Sequence, residues 1–127
     1  MDRHKLTDIM HEKHLYLTTV GRVTGHRHTV ELWFAVSEGN IFLSHEGSPT
    51  DWIKNLRKTD HVEITIGSKR FTGRGRIVSE MDIFNRGKHA LYLKYYGLAP
   101  ADVIDDWFSE SSVIEISSIE SDNHTHH

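Results

Sequence analysis

The sequence has 127 residues but no cysteine, only two prolines and no long hydrophobic run. Without cysteine there is no disulfide framework, no thiolate nucleophile and no cysteine-based zinc or iron–sulfur site. The longest apolar stretch, residues 32–36, is far shorter than the roughly 18 residues of a membrane span, and too short for a secretory signal. We therefore expect a cytoplasmic protein with no membrane span.

The composition is that of one small globular domain, with 37% hydrophobic and 26% charged residues. A domain of this size buries only about two-thirds of its unfolded surface, so a large internal cofactor cavity would need a second subunit. We expect a single domain over residues 1–120. The polar, His-rich end, residues 121–127, lacks apolar surface and is predicted to be a disordered tail.

Charge is divided unevenly along the chain. Residues 1–78 carry twelve Lys and Arg and nine Asp and Glu, whereas residues 79–127 carry three Lys and Arg and nine Asp and Glu. The net charge of the whole chain is −3. A nucleic-acid-binding domain is expected to be basic. Arg70, Arg74 and Arg76 share one face of a predicted strand, but no stacking aromatic joins them. We predict no nucleic-acid partner, while the charge of the first half is compatible with a local anion site.

Hydrophobic periodicity predicts a mainly antiparallel β protein with added helices, an α+β fold in a small barrel or sandwich. Six strands are predicted, at residues 14–20, 29–36, 41–43, 61–66, 69–78 and 112–119. Helices are predicted over residues 3–13, from Pro49 after a capping Ser48, from the Ser79 region to Gly97, and from Pro100.

A glycine-flanked loop at residues 21–25 concentrates hydrogen-bond donors after the first strand. Arg22 and Thr24 lie within it, and His26 and His28 follow it. Phosphate and carboxylate groups need such donors, and glycine lets backbone N–H groups approach closely. The loop is not a phosphate-binding Walker loop, because no Gly-Lys-Ser/Thr ends it. The residues alone leave two interpretations open, an anion site or a polar hairpin tip.

Metal chemistry is not predicted, because His26 and His28 have no evident third ligand. Tyr92, Tyr95 and Tyr96 crowd the end of the long predicted helix. They either pack in the core or line a pocket for a flat substrate. Trp33 lies opposite the apolar face of its strand, which makes it a candidate pocket or interface aromatic.

Three ordered segments, residues 17–25, 28–34 and 51–57, together with Arg-Phe-Thr-Gly at residues 70–73, resemble the deazaflavin-dependent nitroreductase family. This family is related to the FMN-binding pyridoxamine 5'-phosphate oxidases. The resemblance covers residues 14–78 well and the helical remainder loosely.

The resemblance implies a split β-barrel of six antiparallel strands with flanking helices, assembled as a homodimer. In such oxidoreductases reduced coenzyme F420, a deazaflavin, passes hydride to a small-molecule acceptor such as a quinone, a nitroaromatic or an activated alkene. An FMN-binding oxidoreductase of the same fold is the alternative. A third hypothesis is a non-catalytic carrier of a flavin, a haem or a bilin, since a fold does not determine a function.

Position in the family motif also implies residue roles, although no catalytic residue is identified. The residues implied to hold the cofactor phosphate or acidic tail are Arg22, Val23, Thr24 and His28. Those implied to line the ring are Leu43, Ser44, His45, Trp52 and Asn55. Trp33, Tyr92, Tyr95 and Tyr96 are the substrate-pocket candidates. Val23 stands where the family loop is often basic, and Glu46 places an acid nearby, so a long polyglutamate tail is disfavoured and FMN stays open.

Overall fold

The computed structural model describes residues 6, 9–46, 50–97 and 111–122. Most of these residues belong to a seven-stranded sheet with two flanking helices. The elements in chain order are β1 (His14–Val20), β2 (Arg27–Trp33), β3 (Ala35–Ser37), β4 (Asn40–Glu46), α1 (Asp51–Lys58), β5 (His61–Ile66), β6 (Lys69–Ile77), α2 (Met81–Tyr96) and β7 (Ser111–Ser121). Three predicted segments lie wholly or partly outside the described residues: the helix from Pro100, residues 3–5 and 7–8 of the first helix, and residues 123–127 of the tail. Residues 9–13 of the predicted first helix form turns and irregular chain rather than helix.

The sheet is antiparallel throughout and follows the order β2-β1-β5-β6-β7-β4-β3. Its two edge strands, β2 and β3, are separated in sequence by the single residue Phe34. The sheet must therefore curl until its ends approach, which produces a half-barrel. The predicted fold class is confirmed. The described residues form seven strands rather than the predicted six, because the strand predicted over residues 29–36 is interrupted at the fully buried Phe34.

The alternating patterns predicted the central hairpin correctly. Residues 67 and 68 form the turn between β5 and β6, and His61 pairs with Arg74, as Thr65 does with Arg70. Val62, Ile64 and Ile66 point into the core with at most 1% of their surface exposed. The register follows because a slip of one residue would move these side chains to the solvent face.

Helix α1 begins later than its capping pattern predicts. The helix starts at Asp51, and Thr50 is its N-cap in an extended conformation without a side-chain cap hydrogen bond. The prediction of a first helical residue at Pro49 is therefore wrong. Packing of the buried Trp52 and Leu56, rather than capping, stabilises this helix.

Two apolar cores hold the molecule together. The larger core lies inside the curled sheet beneath α1, and it includes Leu17, Ile53 and Ile116. The smaller core packs α2 against the sheet through Leu91 and Phe42. Both helices are thereby fixed to the sheet, so side chains that they present to the loops have defined positions.

Candidate functional site

The loop after β1 is closed by its own backbone. Gly21 N–H donates to the carbonyl of His26 at 2.6 Å, and Gly25 N–H donates to the carbonyl of Gly21 at 2.9 Å. A Cβ at Gly21 would lie 2.8 Å from the His26 carbonyl oxygen and 3.1 Å from His28 Nε2. Gly25 has a φ of +78°, a conformation that glycine adopts without steric cost. Both glycines are therefore needed for this shape.

Asn55 of α1 anchors Arg22 in this loop. Its Oδ1 accepts hydrogen bonds from the backbone N–H and from Nη1 of Arg22, both at 3.1 Å. Its Nδ2 donates to Thr19 Oγ1 at 3.1 Å. Asn55 and Thr19 are each only 1% exposed, so the amide is fully engaged in a buried network. The loop, strand β1 and helix α1 are locked together around one guanidinium.

Two further α1 side chains hold the loop from outside. Lys58 Nζ donates to the carbonyl oxygen of Arg22 at 2.9 Å. Asp51 Oδ1 lies 3.5 Å from Arg22 Nη2. A guanidinium has five N–H donors, so these contacts leave donors of Arg22 that can face a ligand. The half-buried position of Arg22 strengthens such a contact relative to one in open water.

These groups surround a pocket of about 340 Å³, lined by Gly21, Arg22, Val23, Thr24, His26, His28, Asp51 and Asn55. All four residues predicted to hold the phosphate or acidic tail line it, together with Asn55. Thr24 Oγ1 accepts from the His26 backbone N–H at 3.2 Å, which orders the outer loop. Val23 is 86% exposed and adds no charge.

Of the five predicted ring-lining residues, Asn55 instead holds Arg22, and the other four divide into buried and half-buried residues. Leu43 is fully buried in the larger core, and Trp52 is 6% exposed. The His45 ring meets Trp52 edge-on, with centroids 5.9 Å apart and planes at 89°. Ser44 and His45 are half-buried. Successive side chains of a strand point to opposite faces, so His45 lies on the same face of β4 as Leu43, whereas Ser44 lies on the other face. His45 is therefore the member of this group beside Trp52 that keeps exposed surface, while Leu43 packs in the core.

Trp33 and Tyr95 lie at the other end of β2. Their rings are stacked at 4.4 Å, and Trp33 Nε1 donates to His14 Nε2 at 3.0 Å. In the β1–β2 pairing, Trp33 faces His14, whereas Arg27 faces Val20 at the loop end. A strand rises about 3.3 Å per residue, so about 20 Å separates the two ends.

The tyrosines of α2 are tied into the fold. The Tyr95 hydroxyl accepts from the Phe34 backbone N–H at 2.9 Å and lies 2.6 Å from the carbonyl oxygen of Lys13. Burial raises the pKa of this hydroxyl above its usual value. Tyr92 is 6% exposed and packs in the smaller core. The side chain of Tyr96 lies outside the described part of the chain.

The model of the F420H(2)-dependent quinone reductase family matches residues 4–92. This range covers well over half of the chain, including β1, the Arg22 loop, α1 and most of α2. The chain belongs to this family. The predicted resemblance to deazaflavin-dependent reductases is confirmed. A search of curated proteins gives no match.

Solved structures agree with this assignment at the level of the fold. A conserved hypothetical protein from Mycobacterium tuberculosis is 20% identical, with 98% of this chain and 86% of that one covered at a TM-score of 0.76. A putative pyridoxamine 5'-phosphate oxidase from Listeria innocua is 17% identical over 95% and 98%, at 0.66. An F420-H2 dependent reductase is 15% identical over 83% and 94%, at 0.63.

Membership in the quinone reductase family supports coenzyme F420 as the cofactor, in preference to the FMN alternative. The donor set of the Arg22 pocket suits the anionic part of such a molecule. It combines a guanidinium held in place by Asn55 with the polar side chains of Thr24 and His28, which also line the pocket. Asp51 is the opposing charge at the rim.

Three residues of this candidate site were not predicted from the sequence. Thr19 interrupts the apolar series Leu15, Leu17 on the inward face of β1, and this polar exception is the signal that marks it. Lys58 has an ordinary role as a cation at a helix C-terminus, so the sequence gives no reason to expect its contact with the loop. Asp51 is likewise explained by the preference for an acid in the first turn of a helix.

The part of the chain that the structure describes holds no group of three or more His, Cys, Asp or Glu side chains able to bind a metal. None of its helices is both long enough and apolar enough to cross a membrane.

Proposed function

We propose that the chain transfers hydride from reduced coenzyme F420 to a small organic acceptor, a quinone, a nitroaromatic or an activated alkene. The cofactor supplies the hydride, and the residues of the chain bind and orient it. The observation that carries the proposal is the Arg22 guanidinium, held by the buried Asn55 at the mouth of the loop pocket. Arg22 binds the cofactor phosphate in this proposal.

Preorganisation explains why this arginine can bind an anion tightly. An exposed arginine loses rotamer freedom when it binds a ligand, at a cost of about 0.5–1.5 kcal/mol for a flexible side chain. Arg22 has already lost this freedom, because Asn55 receives two of its N–H groups and is itself fixed by Thr19. Thr24 and His28 supply further polar groups at the rim.

The cofactor ring is proposed to lie along the groove between β2 and β4, which approach each other. The His45 side chain would line it, with the Trp52 ring packed edge-on against His45. The exposed edge of Trp33, 38% accessible, would then face the acceptor at the far end of β2. An elongated molecule with one anionic end fits a groove with donors at one end and aromatic rings at the other.

A second copy of the chain is proposed as the partner. Strand β2 is an edge of the sheet and has no buried residue. Tyr16, on the neighbouring β1, is 48% exposed. Edge strands with exposed aromatics favour pairing with another chain. A homodimer would cover this face and deepen the groove, and light scattering of the purified protein should give twice the chain mass.

Cofactor titration tests the proposal. Purified protein is titrated with F420 and with FMN, and binding is followed by fluorescence. We expect F420 to bind more tightly than FMN. Substitution Arg22→Ala should weaken F420 binding by roughly 10- to 150-fold, the equivalent of a charge-assisted hydrogen bond of about 1.5–3 kcal/mol. Arg57→Ala, at an exposed position on the same helix α1, is the matched control and should leave the affinity within about twofold.

Turnover separates a reductase from a carrier. Reduced F420 is mixed with the protein and menadione or a nitroaromatic, and its oxidation is followed spectroscopically. Oxidation that requires the protein supports the proposed reaction. A tightly bound cofactor that is never oxidised would instead indicate a carrier. If neither F420 nor FMN binds below about millimolar, a limit near 4 kcal/mol of binding free energy, the proposal is wrong.

A further inference from the structure

The amine of Lys94, on α2, lies near two aromatic rings at the end of β2 that is farther from the Arg22 loop. Its Nζ is 3.5 Å from the centroid of the Phe34 ring and 5.3 Å from that of Tyr95. It donates one hydrogen bond, to the carbonyl oxygen of Glu12 at 2.6 Å. An ammonium has three donors, so two N–H groups remain for other partners.

The Lys94 ammonium is not paired with a carboxylate. Among the residues that the structure describes, none places a carboxylate within ion-pair distance of Lys94; the Glu12 carboxylate instead lies 3.6 Å from His11 Nε2. Burial lowers the pKa of Lys94 to about 8, although the charge of Glu12 acts in the opposite direction. A half-buried cation without a neutralising partner is unfavourable, and a bound anion would remove this penalty.

A pocket of about 440 Å³ opens beside this amine, lined by Met10, His11, Lys13, Lys94 and Tyr95. Three of the five side chains carry nitrogen groups that bind anions. The thioether of Met10 and the ring of Tyr95 are the apolar surfaces. The Tyr95 hydroxyl is already used by Phe34 and Lys13, so a ligand would meet the ring rather than the hydroxyl. The volume lies in the range of small-molecule sites.

We propose that this pocket binds an aromatic acid, with its carboxylate on Lys94 and Lys13 and its ring against Met10 and Tyr95. The site is separate from the Arg22 pocket and does not depend on the proposed cofactor. Charge-assisted hydrogen bonds to the ammonium provide the recognition. The thioether and the phenol ring select a flat apolar body over an inorganic anion.

Calorimetry on the full-length protein at neutral pH tests this site, with benzoate, benzamide and inorganic phosphate as probes. Benzoate should bind saturably. Benzamide, which has the same shape without the charge, and phosphate, which has charge without the ring, should each bind at least about tenfold more weakly. Lys94→Met keeps the apolar stem and should also lower the benzoate affinity at least about tenfold.

The matched control is Lys88→Met. Lys88 lies on the same helix with its amine over the Phe84 ring, away from the pocket, and its loss should leave benzoate binding within about twofold. Lys94→Gln is a second variant, used if Lys94→Met fails to fold. A direct readout is the NMR signal of reductively ¹³C-methylated lysines, in which benzoate should shift the Lys94 resonance and leave that of Lys88 in place.

Three outcomes would overturn the proposal. The first is no saturable benzoate binding up to about 10 mM, which corresponds to less than about 3 kcal/mol. The second is an equal affinity for benzoate in the wild type and in folded Lys94 variants. The amine would then have only a structural role, in its hydrogen bond to the Glu12 carbonyl. The third is phosphate binding as tight as benzoate, which would remove the role of the aromatic body. F420 binding at Arg22 is unaffected by each of these results.

Discussion

The indole of Trp33 and the phenol ring of Tyr95 lie stacked, with centroids 4.4 Å apart and planes 9° from parallel. Trp33 ends β2, and Tyr95 lies in the last turn of α2. Such ring pairs contribute about 0.5–1.5 kcal/mol beyond the burial of their surface. The contact therefore joins an edge strand to a helix that packs mainly on β3 and β4, and it holds the end of the helix where Lys94 lies.

The Tyr95 hydroxyl should contribute to stability separately from its ring. Tyr95→Phe keeps the stack but leaves the Phe34 backbone N–H without its acceptor. We expect the free energy of unfolding to fall by about 1–3 kcal/mol, measured by urea denaturation. Met81→Leu, at a 70% exposed position on the same helix α2, is the control and should change stability by less than about 0.5 kcal/mol. Equal effects in the two variants would contradict the role assigned to this hydroxyl.

The glycine at position 87 should resist a substitution that normally stabilises helices. Replacing an interior helix glycine with alanine usually gains about 0.5–1 kcal/mol. A Cβ at Gly87 would lie 2.6 Å from Phe42 Cδ1 and 2.8 Å from Val113 Cγ1. We therefore expect Gly87→Ala to lose about 1–3 kcal/mol through overpacking. Asn85→Ala, exposed on the same helix, should be neutral or slightly stabilising, and thermal unfolding of both variants compares them.

Thr19 should act on the anion pocket without touching a ligand. Thr19→Val keeps the shape of the side chain but removes the acceptor of the Asn55 amide. We expect a loss of about 1–3 kcal/mol in unfolding free energy, because a buried N–H loses its partner. F420 should also bind more weakly, though less so than in Arg22→Ala. Thr18→Val, whose hydroxyl pairs with Thr29 at the exposed face, is the control; an unchanged F420 affinity in Thr19→Val would separate Asn55 from the function of Arg22.

The pKa of Lys94 predicts how stability depends on pH. Burial lowers the pKa from 10.5 in its ordinary environment to about 8 in the folded protein. Between these two values the unfolded chain binds more protons, so stability rises with pH in this window. The wild type should therefore gain stability relative to Lys94→Met between about pH 8 and 10. Urea denaturation at several pH values measures this difference, and a constant difference would contradict the lowered pKa.

The elements that are determined by local hydrophobic alternation were predicted correctly from the sequence. The alternation of Val62, Ile64 and Ile66 was sufficient for the β5–β6 register. By contrast, the strand break at Phe34 arises because the sheet must curl between β2 and β3, which is a property of the whole sheet. The start of α1 at Asp51 likewise depends on packing, since no side-chain cap is formed.

The candidate site is predictable from the sequence where it lies in one segment. The glycine-flanked loop and its motif are enough to indicate Arg22, Thr24 and His28. The network behind them joins Thr19 and Asn55, which are 36 residues apart, and no local pattern connects the two. Tyr95 was predicted as a pocket residue, but its hydroxyl is bound to backbone groups 61 and 82 residues away. Long-range contacts of this kind do not follow from periodicity.

Strand β7, the last of the described strands in chain order, lies between β6 and β4 in the sheet. During synthesis one edge of β4 and one edge of β6 therefore stay unpaired until residues 111–121 have left the ribosome. Open edges invite pairing with other chains. A nascent or truncated polypeptide that stops before residue 111 would expose two such templates, so we expect chaperone dependence and inclusion-body formation to be greatest for C-terminally shortened forms.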